Sequence, residues 1–139
     1  MIDQVSGRDI AMMGIRAQRA RMNLIANNIA NAETTRTREG GAFRRQLAVF
    51  RGEHFRSGVN PRKLGVRVKS IVSDPSPLRR VFEPGHADAD ADGYVEYPNV
   101  DLSVEMVNLV SATRAYEANI AVIVNHRRMG QKALEIIQA

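Results

Sequence analysis

The first thirty or so residues carry apolar side chains at helical spacing. Ile15, Met22 and Ile29 recur every seven residues, and Ile25 occupies an adjoining position. No proline interrupts residues 3–31. This periodicity predicts an amphipathic helix over that range, with a heptad-like stripe along one side.

A second, longer helix is predicted from Asp101 to Gln138. Asp101 directly follows Pro98, Asn99 and Val100, and an aspartate in that place is expected to be the N-cap. Alternating steps of three and four residues along this helix visit Met106, Leu109, Thr113, Tyr116, Ile120, Ile123, Arg127, Gly130, Leu134 and Ile137. Most of these positions are apolar, which is close to a heptad seam. At 1.5 Å per residue the helix is about 55 Å long, so we expect the stripe to need the N-terminal helix and other subunits.

Two alternatives to this seam stay open at the level of sequence. Thr113, Arg127 and Gly130 interrupt it, and the contact can shift instead to the neighbouring stripe of Val122 and Met129. An ordinary helical hairpin within one chain has the same periodicity. Length favours assembly, because the long C-terminal stripe faces a shorter partner that is rich in asparagine.

The character of the chain changes between residues 32 and 99. All five prolines and seven of the ten glycines lie there. The β-type runs between these breaks are Phe43–Phe50, Leu64–Val72, Leu78–Phe82 and Tyr94–Tyr97. The predicted fold is therefore mainly α, with a discontinuous helical domain of residues 1–31 and 100–139. A small β-rich domain of residues 32–99 is inserted between its halves.

Charge is distributed unevenly along a chain whose net charge is +5. Residues 34–81 contain twelve arginines or lysines and three acids, whereas residues 82–105 contain seven acids and no basic residue. This asymmetry favours electrostatic docking between like subunits, or attraction to an acidic partner.

Several classes of protein are excluded by what the chain lacks. Without cysteine there are no disulfides, thiolate metal sites or thiol catalysis. The longest apolar run, Ile120–Val124, is far too short to span a membrane. Asp3, Arg8 and Asp9 interrupt any apolar region of a secretory signal, so we expect no cleaved Sec signal.

An acidic motif resembles the opening of a calcium-binding loop. Asp88, Asp90, Asp92 and Gly93 have the spacing of its first six positions. The twelfth position is Asn99, however, which cannot supply the bidentate carboxylate. An acidic turn between two strands is the favoured interpretation, and a calcium-responsive module remains a minor hypothesis.

No catalytic constellation emerges from the remaining polar residues. His54, His86 and His126 are dispersed, and no serine lies in a nucleophile-elbow motif. We therefore predict no catalytic site, no metal site and no cofactor, and hence a protein that is not an enzyme.

Basic pairs support an alternative function as a basic nucleic-acid-binding or adaptor protein. The pairs are Arg44-Arg45, Arg79-Arg80 and Arg127-Arg128. Adjacent residues of a strand point to opposite faces, which disperses such pairs, and aromatic stacking platforms are missing. The preferred prediction is that nucleic acid is not a partner.

Several segments resemble the family of flagellar rod and hook proteins. Residues 21–34, with sequence RMNLIANNIANAET, resemble the N-terminal signature of that family. Residues 41–50 resemble the segment that follows it in the proximal rod members, although Phe43 stands where tyrosine is more frequent. Residues 94–101 and 105–119 are similar to the junction and C-terminal helix of a proximal rod protein. The short chain also suits a proximal member.

This resemblance implies a structural subunit of the bacterial flagellar basal body. The terminal helices would form a coiled-coil-like layer of the tubular proximal rod, a drive shaft that transmits motor torque, with the β-rich part outside. The implied partners are copies of the chain, other rod proteins and the flagellar type III export apparatus. Export of the unfolded chain would deliver it to the periplasmic rod.

The resemblance also implies an assembly interface made of packing seams. Asn27, Asn28 and Asn31 would bridge neighbouring helices by hydrogen bonds, and the N-terminal stripe would bury against the C-terminal one. The seam residues are Ile15, Met22, Ile25, Asn27, Asn28, Ile29, Asn31, Met106, Leu109, Tyr116, Ile120, Ile123, Leu134 and Ile137.

Overall fold

A computed structural model describes residues 7–55 and 63–138 of the chain. The elements are, in order, α1 (Gly7–Ala30), β1 (Gln46–Phe55), β2 (Lys63–Ser73), β3 (Arg79–Phe82), β4 (Tyr94–Tyr97) and α2 (Leu102–Gln138). Two long terminal helices and a small antiparallel β insertion are thus confirmed. The first residues of the predicted N-terminal helix, 1–6, lie outside the described residues.

The two helices lie side by side and run in opposite directions. Arg21 on α1 donates from Nη2 to Asn108 Oδ1 on α2 at 3.3 Å, and further along the pair Gly14 lies against Asn119. The fully buried positions of this contact on α1 are mostly small, since they include Ala11, Gly14 and Ala17, and Ala112 faces them from α2. Small side chains let the two backbones approach closely.

The helix contact follows a different phase of the heptad from the predicted one. On α2 the covered positions are Glu105, Leu109, Ala112, Tyr116, Asn119 and Ile123. Met106 and Ile120 are 62% and 39% exposed, so within one chain they lie beside the contact rather than in it. Steps of three and four can be taken in either order, and close packing selects the order with smaller side chains.

The far end of α2 corrects a second expectation. Leu134 and Ile137 were predicted to bury against the N-terminal stripe, but they are 59% and 79% exposed. The reason is length, because α2 has 37 residues and the described α1 has 24. Every residue from 124 to 137 is exposed.

The start of α2 is capped as predicted. Asp101 Oδ1 accepts hydrogen bonds from the backbone N–H groups of Ser103 at 2.8 Å and Val104 at 3.2 Å. These bonds satisfy two of the donors that a helix leaves free at its N-terminus.

Strands β1 and β2 form an antiparallel hairpin that packs against α1. β1 begins at Gln46 rather than Phe43, because the Phe43 N–H donates to Thr34 O and the Arg45 N–H donates to Asn99 Oδ1. It continues beyond Phe50, the predicted end, because residues 51–55 pair with residues 63–67 across the hairpin. Cross-strand pairing thus extends the strand through residues of low β-propensity.

Strands β3 and β4 form a second antiparallel pair, with Val95 completely buried. The acidic motif lies in the turn between them, as predicted. Gly93 closes this turn with φ of 82°, and a Cβ there would lie 2.9 Å from the Phe82 ring. Only glycine fits both the backbone conformation and the space.

Candidate functional site

Buried polar side chains meet where the helices and the β insertion join. Glu105, in the first turn of α2, is 1% exposed. Its Oε1 lies 2.5 Å from Arg45 Nη2 and accepts a hydrogen bond from Arg45 Nε at 2.7 Å. Its Oε2 accepts a hydrogen bond from Asn28 Nδ2 at 3.1 Å. Both oxygens of the buried carboxylate are therefore satisfied, which its removal from water requires.

Asn28 also fixes the point at which β1 begins. Its Oδ1 accepts a hydrogen bond from the Gln46 N–H at 2.8 Å, and its Nδ2 donates to Gln46 O at 2.9 Å. The side-chain amide thus pairs with Gln46 as a neighbouring strand would. One buried asparagine holds α1 to both β1 and α2.

Asp74 and Asn99 extend the network to the end of β2 and to the segment before α2. Arg45 Nη1 lies 3.5 Å from Asp74 Oδ2, and the Asp74 N–H donates to Arg45 O at 2.8 Å. Asn99 accepts from the Arg45 N–H at 2.8 Å and donates to Asp74 O at 3.2 Å. We call Asn28, Arg45, Asp74, Asn99 and Glu105 the polar junction.

The Asp74 carboxylate is held in its ionised form by its neighbours. Hydrogen bonds from the Ser76 hydroxyl and the Ser76 N–H are the largest causes that lower the pKa of Asp74 below its ordinary value of 3.8, and Arg45 adds to the effect. Asp74 is therefore an anion at neutral pH, which keeps its pairing with Arg45.

The three asparagines predicted to bridge helices differ in what they bind. Asn28 alone joins α1 to α2 among them. Asn27 Nδ2 donates to the Gln46 side chain at 3.1 Å, and Asn31 Nδ2 donates to Asn27 O at 2.9 Å. Within one chain the bridging prediction is therefore wrong for Asn27 and Asn31.

Sequence reasoning did not select the other four members of the polar junction. Glu105 had a usable signal, because it falls on the small-residue phase of the heptad that includes Ala112 and Asn119. A charged residue on a covered helix position requires a buried partner. Nothing local identifies Arg45 as that partner, since it lies 60 residues earlier in the chain.

The acidic turn binds donors of its own chain. Asp90 accepts from the Tyr94 N–H at 2.8 Å and lies 2.7 Å from Arg80 Nη2. The Tyr94 bond is the largest cause that lowers the pKa of Asp90. Asp88 accepts from Thr35 Oγ1 at 2.9 Å and lies 3.4 Å from Arg36. Among residues 7–55 and 63–138, no three acidic or histidine side chains are grouped to hold a metal ion.

Two of the three basic pairs are used inside the chain. Arg45 belongs to the polar junction, and Arg44 donates to Ser76 O at 3.2 Å. Arg79 stacks over the Tyr97 ring at 5.1 Å, and Arg80 stacks over the Tyr94 ring at 4.9 Å. These contacts disperse the charge that suggested a nucleic-acid site.

Large apolar side chains surround the start of α2 without being covered. Five of them are between 48% and 71% exposed: Leu102, Val104, Met106, Val107 and Val110. At about 100° per residue they point in most directions other than that of the α1 contact. We call these five residues the apolar sleeve. A helix that is apolar all round is normally buried on all sides.

A second uncovered apolar surface lies at the far end of α2. Met129, Leu134, Ile136 and Ile137 are 59% to 79% exposed, and helical geometry places them on one side. The opposite side carries Arg127, Arg128, Gln131, Lys132 and Glu135. We call the four apolar residues the distal stripe. Within the described chain, neither helix is apolar enough over a sufficient length to cross a membrane.

The predicted seam residues are divided between buried and open positions. Ile25 and Asn28 are buried, whereas Asn27, Met106, Ile120, Leu134 and Ile137 are exposed. Those of intermediate burial are Ile15, Met22, Ile29, Asn31, Leu109, Tyr116 and Ile123. A lone chain therefore covers only part of the predicted seams, and their role between subunits stays a prediction.

Comparison with known proteins covers nearly the whole chain. Residues 9–36 match the family described as flagella basal body rod protein, and residues 91–136 match the flagellar basal body rod FlgEFG protein C-terminal family. The chain is 44% identical to the flagellar basal-body rod protein FlgC of Borreliella burgdorferi, with 96% of this chain and 97% of that protein covered.

Relatives in two other organisms agree. The chain is 41% identical to FlgC of Yersinia enterocolitica, with 94% of this chain and 95% of that protein covered. It is 38% identical to FlgC of Bacillus subtilis, with coverage of 92% and 94%. The chain therefore belongs to the family of flagellar basal-body rod protein FlgC, whose members are structural subunits of the basal-body rod and not enzymes.

Proposed function

We propose that this chain is a subunit of the proximal rod, where many copies pack their helices into a tubular shaft that transmits motor torque. In this proposal residues 1–31 and 100–139 form a coiled-coil-like layer, and residues 32–99 lie outside it. The contacts repeat from subunit to subunit without closing a pair, as a helical tube requires.

The apolar sleeve is the observation that carries this proposal. Val107 is 71% exposed and Met106 is 62% exposed, although both lie near the well-packed polar junction. Burial of such surface contributes about 25 cal/mol per Å², so covering 400 Å² with neighbouring helices stabilises an assembly by about 10 kcal/mol before the costs of ordering. A basic adaptor would have no use for this surface.

The proposed partners follow from the same surfaces and from the family. Copies of this chain and other rod proteins would cover the apolar sleeve and the distal stripe. The flagellar type III export apparatus would carry the unfolded chain to the periplasm without a cleaved Sec signal, which is supported by the charged residues Asp3, Arg8 and Asp9.

A single substitution in the apolar sleeve tests the proposal. Val107→Asp places a charge on an exposed side chain, so the free subunit should keep its stability and its export. We expect it to be absent from rods in purified basal bodies imaged by cryo-microscopy, with loss of motility, because the charge would be buried without a partner. Val107→Leu is the matched control and should assemble normally. Normal rods and swimming with Val107→Asp would refute the proposed interface.

A further inference from the structure

The polar junction divides the helix pair into two parts that differ sharply in burial. Near the junction Asn28 and Glu105 are each 1% exposed, and Ala112 is completely buried. Beyond Ile123, by contrast, every described residue of α2 up to Ile137 is exposed. The tightly packed part and the open part belong to the same continuous helix.

We infer that the polar junction is a conformational lock that docks the β1–β2 hairpin onto the paired helices in the free subunit, before assembly. The lock leaves the distal part of α2 to become ordered only against other subunits. This inference concerns the single chain, so it goes beyond the proposed role in the rod.

Glu105 makes the lock cooperative. Its two carboxylate oxygens are satisfied by different segments, Oε1 by Arg45 and Oε2 by Asn28. If either segment moves away, a carboxylate that is almost completely buried loses a partner and must be rehydrated. The three segments are therefore expected to come together and separate as one unit.

The remaining bonds make the docking specific in position. Asn28 pairs with both backbone groups of Gln46, the first residue of β1. Asn99 holds the Arg45 N–H, and Asp74 at the end of β2 pairs with the Arg45 side chain. The base of the hairpin is thus attached at both strands. Its orientation relative to the helices is therefore set by side chains rather than by the connecting loops.

The distal part of α2 has no comparable support. Its apolar side chains, such as Met129 and Ile136, are 71% and 78% exposed. Isolated helical segments of this length are marginal in water, because helix nucleation is costly and propagation adds little. This segment should therefore open far more often than the junction in a lone subunit.

Hydrogen exchange measured by mass spectrometry on the purified full-length chain tests this inference. We expect residues 24–30, 46–50 and 104–112 to exchange slowly and together, and residues 126–137 to exchange about 100-fold faster. Glu105→Gln keeps the shape of the side chain but removes its charge. It should accelerate exchange about tenfold in all three slow segments and leave residues 126–137 unchanged.

Matched variants make the outcome decisive. Glu117→Gln makes the same chemical change at an exposed position of α2 and should alter none of these rates. If Glu105→Gln does not fold, Arg45→Lys is the milder variant, with the exposed Arg51→Lys as its control. Acceleration confined to residues 104–112, or equal protection of residues 126–137 in the free wild-type chain, would overturn the inference. Such a failure would leave the proposed rod function intact, because Val107→Asp tests that separately.

Discussion

The side chain of Asn119 lies directly over Gly14, where α1 and α2 approach each other. A Cβ on Gly14 would be 2.7 Å from Asn119 Oδ1 and 2.9 Å from its Cγ. Asn119 cannot swing aside freely, because its Nδ2 donates to Ala115 O at 2.8 Å. The small residue and the polar one are therefore matched across the helix pair.

Gly14→Ala should consequently lower the free energy of unfolding, although alanine favours helices. The overpacking cost of about 1–3 kcal/mol exceeds the propensity gain of about 1 kcal/mol. Denaturant unfolding of the purified chain measures the difference. Gly130→Ala is the control, since open space surrounds Gly130, and it should increase helicity in circular dichroism. The double variant Gly14→Ala with Asn119→Ala should recover the lost stability, and a stabilising Gly14→Ala alone would contradict the close contact.

A charge in the distal stripe should block assembly without affecting the free subunit. Ile136 is 78% exposed, so Ile136→Asp should change the free energy of unfolding by less than about 0.5 kcal/mol. We expect it to abolish incorporation into basal bodies, because the stripe would be covered there. Gln131→Asp places the same charge on the polar side of the same segment and should be tolerated. Equal incorporation of both variants would show that the distal stripe stays open to water.

Acid should weaken the fold through Asp74 and Asp90. Both carboxyl groups have a pKa lowered from the ordinary value of 3.8 in the folded chain. Their contribution to stability is therefore present above pH 3.8 and is lost as the pH falls below it towards the folded pKa values. Unfolding curves collected between pH 6 and pH 2.5 should show this loss, and Asp74→Asn should reduce it. An unchanged acid dependence in that variant would contradict the role of the Ser76 hydrogen bonds.

Tyr97 should titrate at higher pH than an ordinary tyrosine. Its hydroxyl donates to Glu83 Oε2 at 3.0 Å, and this bond is the main cause that raises the pKa of Tyr97 above 10.0. Because the raised pKa favours the neutral phenol, the associated stability is present below pH 10 and is lost as the pH rises through the folded pKa. Ultraviolet titration near 295 nm should show one late tyrosine among three. Glu83→Gln should move that titration towards lower pH, and Tyr116→Phe, which removes a different ring, should not.

The helices and strands could be placed from local patterns, because each depends on neighbouring residues. The aspartate at position 101 caps α2 through N–H groups two and three residues away, and the turn before β4 needs Gly93 for its backbone conformation. The ends of β1 were misplaced, since they depend on pairing with β2 and on Asn99.

Local chemistry thus sufficed for the helices, the β insertion, the long apolar stripes and the signature of the rod family, because these are written in spacings of a few residues. The phase of the helix contact and the members of the polar junction depended on tertiary structure. Glu105 meets Arg45 and Asn28 across 60 and 77 residues of chain. Periodicity finds residues that avoid water, but only the three-dimensional arrangement decides which of them touch, because close packing selects for size and hydrogen-bonding geometry as well as for apolarity.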